Sequence, residues 1–316
     1  MNKSTITVKT VASSTGAWIL LGLLSHSAWG GYPVLARYLQ NGHHIGTMSL
    51  ATMTNSLAAV TALIFLGPKI RLKGLPLKEI VILAFIVVTR GLTNLYASKY
   101  TYATTVQLFS LLAPFVVAAL SRWLYKEPLP RHTVAALLLS LAGSAVIIYS
   151  AEPAAKAGGA SHSLGIILAA VSGLLLAFYL LFIKEESKKG RSAETLAFVQ
   201  FASLALCMGT GSIATGESWK PWFSLAPSGI AAYLVFAFGV LLFGTVLQNK
   251  ALRNLGAPTY STLQASRLLS TIAYSWLLLG EGIDTFWQAM GTLLVMATIT
   301  WYTLSQKKRG QPAHGG

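Results

Sequence analysis

Two arginines lie near the centres of long apolar segments of this sequence. Arg90 falls within residues 78–98 and Arg267 within residues 258–279, and none of the nine Asp and Glu residues has a comparable position. A charge at bilayer depth is costly and usually functional, and a guanidinium group can donate two parallel hydrogen bonds to a carboxylate or phosphate. The pattern therefore predicts a membrane protein that handles a negatively charged or carboxylate-bearing molecule.

Other polar and aromatic side chains lie at similar depth. Tyr260, Gln264 and Arg267 are spaced by four and three residues, and Asn94 follows Arg90 by one helical turn, so each set shares a helical face. Such polar faces are expected to line a cavity rather than contact lipid. The residues predicted to bind substrate are Arg267, Arg90, Gln264, Tyr260, Trp29, Asn94, Asn55, Tyr179 and His26.

A purely structural role stays open for these residues. Arg267 could hydrogen-bond carbonyl groups of a neighbouring helix and lock two parts of the bundle together. Trp29 could be a packing residue beside Gly30, with a kink at Pro33. His26 could carry a proton, or simply fill space. Neighbouring helices could also satisfy Asn55 and Tyr179.

The composition indicates a polytopic helical membrane protein. Only 10% of the 316 residues are charged, against about 25% in a typical soluble domain, and 54% are hydrophobic. Several apolar runs approach the ~20 residues that cross a hydrocarbon core. The ten helices predicted are 16–37, 47–66, 77–98, 103–125, 131–150, 163–184, 194–214, 228–249, 258–279 and 286–304.

The net charge of +15 reflects sidedness rather than nucleic-acid binding. Most Lys and Arg residues fall in alternate loops, which predicts that both termini lie in the cytoplasm. The loops on the other side hold only Arg37, Lys99, Lys156 and Lys220. The first apolar run is expected to be a retained helix, not a cleaved signal peptide. The expected location is the bacterial inner membrane, with several crossings.

The chain divides into two similar halves. Residues 152–162 read as a linker between a first repeat at 1–151 and a second at 163–306, and a basic cytoplasmic tail follows at 307–316. The segment 99–127 aligns without a gap with the segment 253–281. Since each half has an odd number of predicted helices, the two copies must cross the membrane in opposite directions, as in inverted-repeat transporters.

The aligned segments resemble repeats of the EamA family in the drug/metabolite transporter superfamily. The resemblance rests on a lysine turn at Lys99, a central Pro114, a glutamate at the end of each repeat helix (Glu127 and Glu281), and the Trp29-Gly30 pair. Pro114, Glu127 and Glu281 are expected to be structural. The second repeat departs from the pattern, with Leu268 in place of the proline, and Asn55 stands where many relatives have arginine.

The resemblance implies an all-α integral membrane fold with ten transmembrane helices in two inverted five-helix EamA repeats. It also implies a central cavity, alternating access, and commonly the export of amino acids or other small metabolites. The predicted function is a secondary transporter, expected to be an exporter, of a small anionic or zwitterionic metabolite such as an amino acid or organic acid.

Three alternatives stay open. The fold could translocate a lipid-linked phosphate, or it could be a broad-specificity drug/metabolite efflux carrier, although no intramembrane carboxylate is available for proton-coupled export of cations. An integral membrane enzyme ranks last, because no nucleophile and base share one depth. Scattered histidines and a single Cys207, expected to be a packing residue, predict no metal. The expected partners are a small-molecule substrate and the bilayer, with no cofactor or nucleic acid, and a homodimer is left open.

Overall fold

The computed structural model describes residues 4–126, 131–150 and 159–307, and within them the secondary structure is entirely helical. The helices are α1 (Ser4–Arg37), α2 (Thr47–Leu66), α3 (Leu77–Tyr100), α4 (Ala103–Leu111), α5 (Ala113–Tyr125), α6 (Thr133–Tyr149), α7 (Gly159–Lys188), α8 (Ala193–Ala214), α9 (Lys220–Phe223), α10 (Pro227–Leu234), α11 (Gly244–Thr262), α12 (Ala265–Leu279) and α13 (Phe286–Lys307). Two stretches are wider π-helix, Tyr38–Gly42 and Val235–Phe243.

Six stretches of the described residues are long and apolar enough to cross a membrane. They are Thr47–Lys69, Leu77–Tyr100, Ala103–Leu124, Ser161–Lys188, Ala193–Ala214 and Pro227–Gln248. The helix Thr133–Tyr149 is apolar but shorter. These helices support a multi-pass membrane protein, and the total of ten crossings stays a prediction.

The helices of the two halves pack against each other in reciprocal pairs. Helix α3 packs on α7, while α1 packs on the segment formed by Val235–Phe243 and α11. In the same way, α4 packs on α7 and α12 packs on α1. The remaining large contacts join equivalent helices, α2 with α8 and α6 with α13. Exchanging the halves therefore leaves the packing scheme nearly unchanged.

Glycines permit the closest of these approaches. A Cβ on Gly143 of α6 would lie 3.0 Å from the carbonyl oxygen of Gly291, and one on Gly291 would lie 2.7 Å from that of Gly143. A Cβ on Gly30 of α1 would lie 2.7 Å from the carbonyl oxygen of Arg267. Small residues let helices approach closely in the bilayer, where the hydrophobic effect does not drive their association.

Both predicted repeat helices are broken, and this changes two expectations. The stretch 103–125 is interrupted at Leu112, just before Pro114, which has no N–H to continue the helical ladder. In the second half the break falls at residues 263–264, where the Ser266 amide bonds to the Leu263 carbonyl and closes a tight turn. The sequence predicted that Tyr260, Gln264 and Arg267 share one helical face. They do not, because the break divides that face between two helices.

The boundary between the eighth and ninth predicted helices is also different. Residues 250–257 were expected to form a loop, but they lie within α11. Two distances show that this helix bends. The Ser25 hydroxyl lies 3.2 Å from the Gly244 carbonyl oxygen and 3.0 Å from the Tyr260 hydroxyl. A straight helix would separate those two residues by about 24 Å.

Candidate functional site

A small cavity lies between the two halves of the chain. Side chains of α1, α2, α3, α8 and the π-helical segment surround it, and it has a volume of about 30 Å³. Four predicted site residues line it: Trp29, Asn55, Arg90 and Asn94. A space of this size holds one or two water molecules, so the structure represents a closed conformation around the site.

Each of these four side chains leaves a buried polar atom without a hydrogen-bond partner. The atoms are Trp29 Nε1, Asn55 Oδ1, Arg90 Nε and Asn94 Oδ1. Buried polar atoms are nearly always paired, and an unpaired one costs about 1–3 kcal/mol. Four side chains that line the cavity therefore keep hydrogen-bonding capacity that a bound molecule could satisfy.

The two asparagines are held by their amide nitrogens. Asn55 Nδ2 donates to the Ala51 carbonyl at 2.8 Å, and Asn94 Nδ2 donates to the Ser172 hydroxyl at 2.9 Å. A backbone carbonyl can only accept, so the amide orientation of Asn55 is fixed with its oxygen unpartnered. The other half of each amide group is thus left for a guest.

No described carboxylate forms an ion pair with Arg90. Its guanidinium group lies 5.6 Å from the centroid of the Tyr179 ring, within cation–π range. Aromatic faces partly replace the missing anion but donate no lone pair to the guanidinium N–H groups.

Arg267 lies next to the cavity rather than in its lining. Its Nε donates to Gln107 Oε1 at 3.2 Å, and its guanidinium group is 5.6 Å from the Trp29 ring. The charge of Arg90 acts on Arg267, so the two guanidinium groups repel each other. Trp29 contacts Arg267 and also lines the cavity of Arg90, which connects the two cationic centres. An anion near Trp29 would relieve this repulsion.

Three more predicted site residues, His26, Tyr260 and Gln264, are not part of the cavity lining. His26 stacks on Tyr260 with ring centroids 4.4 Å apart, and its Nε2 lies 3.2 Å from the Tyr260 carbonyl oxygen. Gln264 precedes α12 and accepts a backbone hydrogen bond from Arg267. None of the three lines the cavity, and their substrate roles stay predictions.

Several lining residues were not in the predicted set. Tyr32 is three residues beyond Trp29 on α1, packs on Phe236 of the π-helical segment, and lines the cavity with Gln200 and Leu241. The signal for Tyr32 was its position one turn from Trp29 on the same helical face. The π-helical segment had no sequence signal, although such irregularities are frequent at functional sites.

Among the described residues, the carboxylates occur near helix ends and none lines the cavity. Glu217 accepts the backbone N–H groups of Met48 and Ser49 at the start of α2, at 3.2 and 2.7 Å. Glu281 accepts a hydrogen bond from Arg37 at 2.5 Å and contacts the Ala103 amide at 3.5 Å. The structural role of Glu281 stays a prediction, and Glu127 lies outside the described residues. Cys207, expected to be a packing residue, is exposed on α8.

Arg37 and Glu281 form a corner at one end of the bundle. Arg37 Nη1 also donates to the carbonyl oxygens of Ser98, Lys99 and Thr101, at 3.3, 3.3 and 2.7 Å. Burial raises the pKa of the Glu281 carboxyl above its ordinary value of 4.5, and the charge of Arg37 opposes that shift. This corner ties the first half of the chain to the second.

Comparisons with known proteins agree with the resemblance seen in the sequence. The family model described as "EamA-like transporter family" matches residues 16–149 and again residues 163–304. A solved structure titled only "Crystal structure of protein" superposes with a TM-score of 0.65 over 93% of this chain and 99% of that chain, at 16% identity. Among curated proteins, none matches this sequence. The structural likeness extends to the fold alone.

Proposed function

The chain belongs to the EamA-like transporter family, and we propose that it exports a small anionic or zwitterionic metabolite, such as an amino acid or organic acid, across the bacterial inner membrane. The substrate would bind in the cavity between the halves, with Arg90, Trp29, Asn55 and Asn94 as its direct partners. Arg267 would add a second positive charge beside Trp29.

The proposed architecture is ten crossings in two inverted five-helix repeats. The double match of the family model and the reciprocal helix pairs support it. In such carriers the site lies near the midplane, at the interface of the repeats.

The four unpartnered atoms of the cavity carry the proposal. The N–H groups of Trp29 and Arg90 suit a carboxylate or other anionic group, while the oxygens of Asn55 and Asn94 suit an ammonium or hydroxyl group. A molecule with both kinds of group would satisfy all four atoms, and an organic acid with a hydroxyl group would also do so.

Transport would require opening this closed form on alternate sides. A cavity of about 30 Å³ cannot hold an amino acid. The Arg37–Glu281 corner closes one end of the bundle by joining α1, the start of α4 and the end of α12. We propose that this corner separates when the repeats rock and the site opens to that side.

The location of the cavity favours a small soluble substrate over a lipid-linked phosphate. Residues of five helical segments surround it, including α1 and α3 from the first half and α8 from the second. A carrier of cationic drugs normally uses a carboxylate at the site, and no described carboxylate lines this cavity. Membership in a transporter family also argues against an enzymatic role.

A counterflow screen in proteoliposomes tests the proposal. Purified protein would be reconstituted into liposomes. Amino acids, organic acids and phosphorylated metabolites would each be loaded inside, and the uptake of the labelled form of the same compound would be measured. We expect accumulation only for compounds with a carboxylate or comparable anion, and none in protein-free liposomes. Uptake restricted to organic cations, or to lipid-linked compounds, would refute the proposed substrate class.

A further inference from the structure

A second, larger cavity lies at the other end of the bundle from the Arg37–Glu281 corner. It has a volume of about 370 Å³ and is formed by the loop after α2 and the turn between α7 and α8. Helix α3 starts beside this loop and ends beside Arg37, about 36 Å away along its axis. We propose that this cavity binds the headgroup of an anionic phospholipid. The proposal concerns a site other than the proposed transport site.

The cavity carries a surplus of positive charge. Four cationic side chains line it, and a single carboxylate, Glu194, lies among them; the cations are Lys69, Arg71, Lys73 and Arg191. Arg191 approaches Glu79 and Glu186 at 3.6 and 3.8 Å. The other three cations form no ion pair with any carboxylate that the structure describes. A phosphate group would supply the missing negative charge.

The cavity is held in shape by hydrogen bonds between its two loops. The Arg71 amide donates to Thr195 Oγ1 at 2.8 Å, and Ser192 Oγ donates to the Lys69 carbonyl at 3.1 Å. Ser192 also caps α8 by accepting the Thr195 amide at 3.1 Å. The cations therefore project from a fixed backbone beside the N-terminus of a long helix, an end that favours anions.

The position of the cavity selects a lipid over a soluble phosphate compound. Four membrane-spanning stretches end around it: Thr47–Lys69 and Ser161–Lys188 finish there, and Leu77–Tyr100 and Ala193–Ala214 begin there. The cavity is consequently at the depth of lipid headgroups. Basic pockets between helix ends at this depth bind anionic headgroups.

An exposed apolar row lies on α3, the helix that follows the first of these loops. Leu77, Val81 and Phe85 of α3 are 74%, 56% and 69% exposed, and their spacing of four puts them on one face. Leu72, between two of the cations, is 47% exposed. An acyl chain could lie along this row while its headgroup occupies the cationic cavity.

Native mass spectrometry of the full-length protein tests this site. Wild-type protein would be given equal amounts of phosphatidylglycerol and phosphatidylcholine with the same acyl chains, and bound lipid would be counted. We expect phosphatidylglycerol to be retained about 10-fold more, since the cations that line the cavity attract an anionic headgroup. The double variant Arg71→Gln with Lys73→Gln should lose most of this preference.

A matched control removes the same charge from the same end of the bundle. Arg122→Gln with Lys126→Gln changes two exposed cations outside the cavity and should keep the preference. Arg71→Lys should keep most of it. An equal loss in both double variants, at unchanged unfolding temperature, would show a net-charge effect and overturn the proposal.

Two further results would also overturn it. The absence of any preference in the wild type would mean that no headgroup site exists. If inorganic phosphate protected the protein from thermal unfolding and displaced phosphatidylglycerol, the site would serve a soluble phosphate instead. The single variant Lys69→Gln removes one cation of the cavity and should also lower the preference. It keeps the contact between the loops, which the Lys69 backbone carbonyl makes.

Discussion

Three guanidinium groups differ in how far their hydrogen-bonding needs are met: that of Arg37 is well paired, and those of Arg90 and Arg267 are not. Arg37 is paired with Glu281 and donates to three backbone carbonyl groups at a helix end. Arg90 has an unpartnered Nε and lies over the Tyr179 ring, and Arg267 has one amide acceptor and the Trp29 ring. A satisfied guanidinium stabilises the fold, whereas an unsatisfied one in a cavity is available to a ligand.

The largest expected effect is on transport by the central arginines. Arg267→Met should lower counterflow about 100-fold, because the second positive charge beside Trp29 and the bound anion would be lost. Arg267→Lys keeps the charge but not the planar fork, and should lower it about 10-fold. Rates in proteoliposomes provide the measurement, with Cys207→Ala on the exposed face of α8 as a control that should transport normally. Normal transport by Arg267→Met would remove the distinction between the two settings.

The next effect concerns stability at the corner. Arg37→Met leaves the partly buried Glu281 carboxylate without its cation and frees three carbonyl groups, so the free energy of unfolding should fall by about 3 kcal/mol. Denaturant or thermal unfolding of the purified protein measures this fall. Arg122→Met, which changes an exposed arginine, should leave stability nearly unchanged. If the two variants are equally stable, the corner is not a structural tie.

Two tryptophans allow the same comparison of an unpartnered and a partnered N–H group without a change of charge. Trp29→Phe keeps an aromatic ring but removes the unpartnered indole N–H, so substrate affinity should fall about 3- to 10-fold while stability is kept. The Trp222 indole donates to Ser49 at 3.1 Å, and Trp222→Phe should lower stability and leave affinity unchanged. Titration calorimetry and unfolding temperatures separate the two outcomes. The reverse assignment would contradict the role given to Trp29.

The smallest effect is a pH dependence at Glu281. Its pKa is raised in the folded state by burial, so its contribution to stability is fully present below pH 4.5 and is lost as the pH rises through the folded pKa. Glu281→Gln cannot titrate. The unfolding temperature of the wild type relative to this variant should therefore decrease from pH 4 to pH 7. A constant difference would show that the carboxyl has its ordinary pKa when folded.

The sequence predicted the central residues because their surroundings are so apolar. A single guanidinium in a long hydrophobic stretch is conspicuous, and one helical turn of spacing connects Arg90 with Asn94. Trp29 was predicted from the Trp29-Gly30 pair of the family resemblance, and the contact with α12 requires the missing side chain of Gly30. The family was predicted from the repeat segments and is confirmed.

Other features depended on tertiary packing. The break at residues 263–264 has no proline that would predict it, and it puts Tyr260 and Arg267 in different helices. The π-helical segment and the position of Tyr32 follow from contacts between the halves. Whether an asparagine oxygen is partnered also depends on the neighbouring helix, as the Asn94 contact with Ser172 shows.

The most direct test of the central claim is a pair of measurements on Arg90→Met. The unfolding temperature without substrate should equal or exceed that of the wild type, because replacing an unpaired buried charge by an apolar side chain removes a desolvation cost. The rise in unfolding temperature on adding the substrate found by counterflow should be lost. A lower unfolding temperature together with a normal substrate-induced rise would show that Arg90 is a structural residue and that its charge does not bind the substrate.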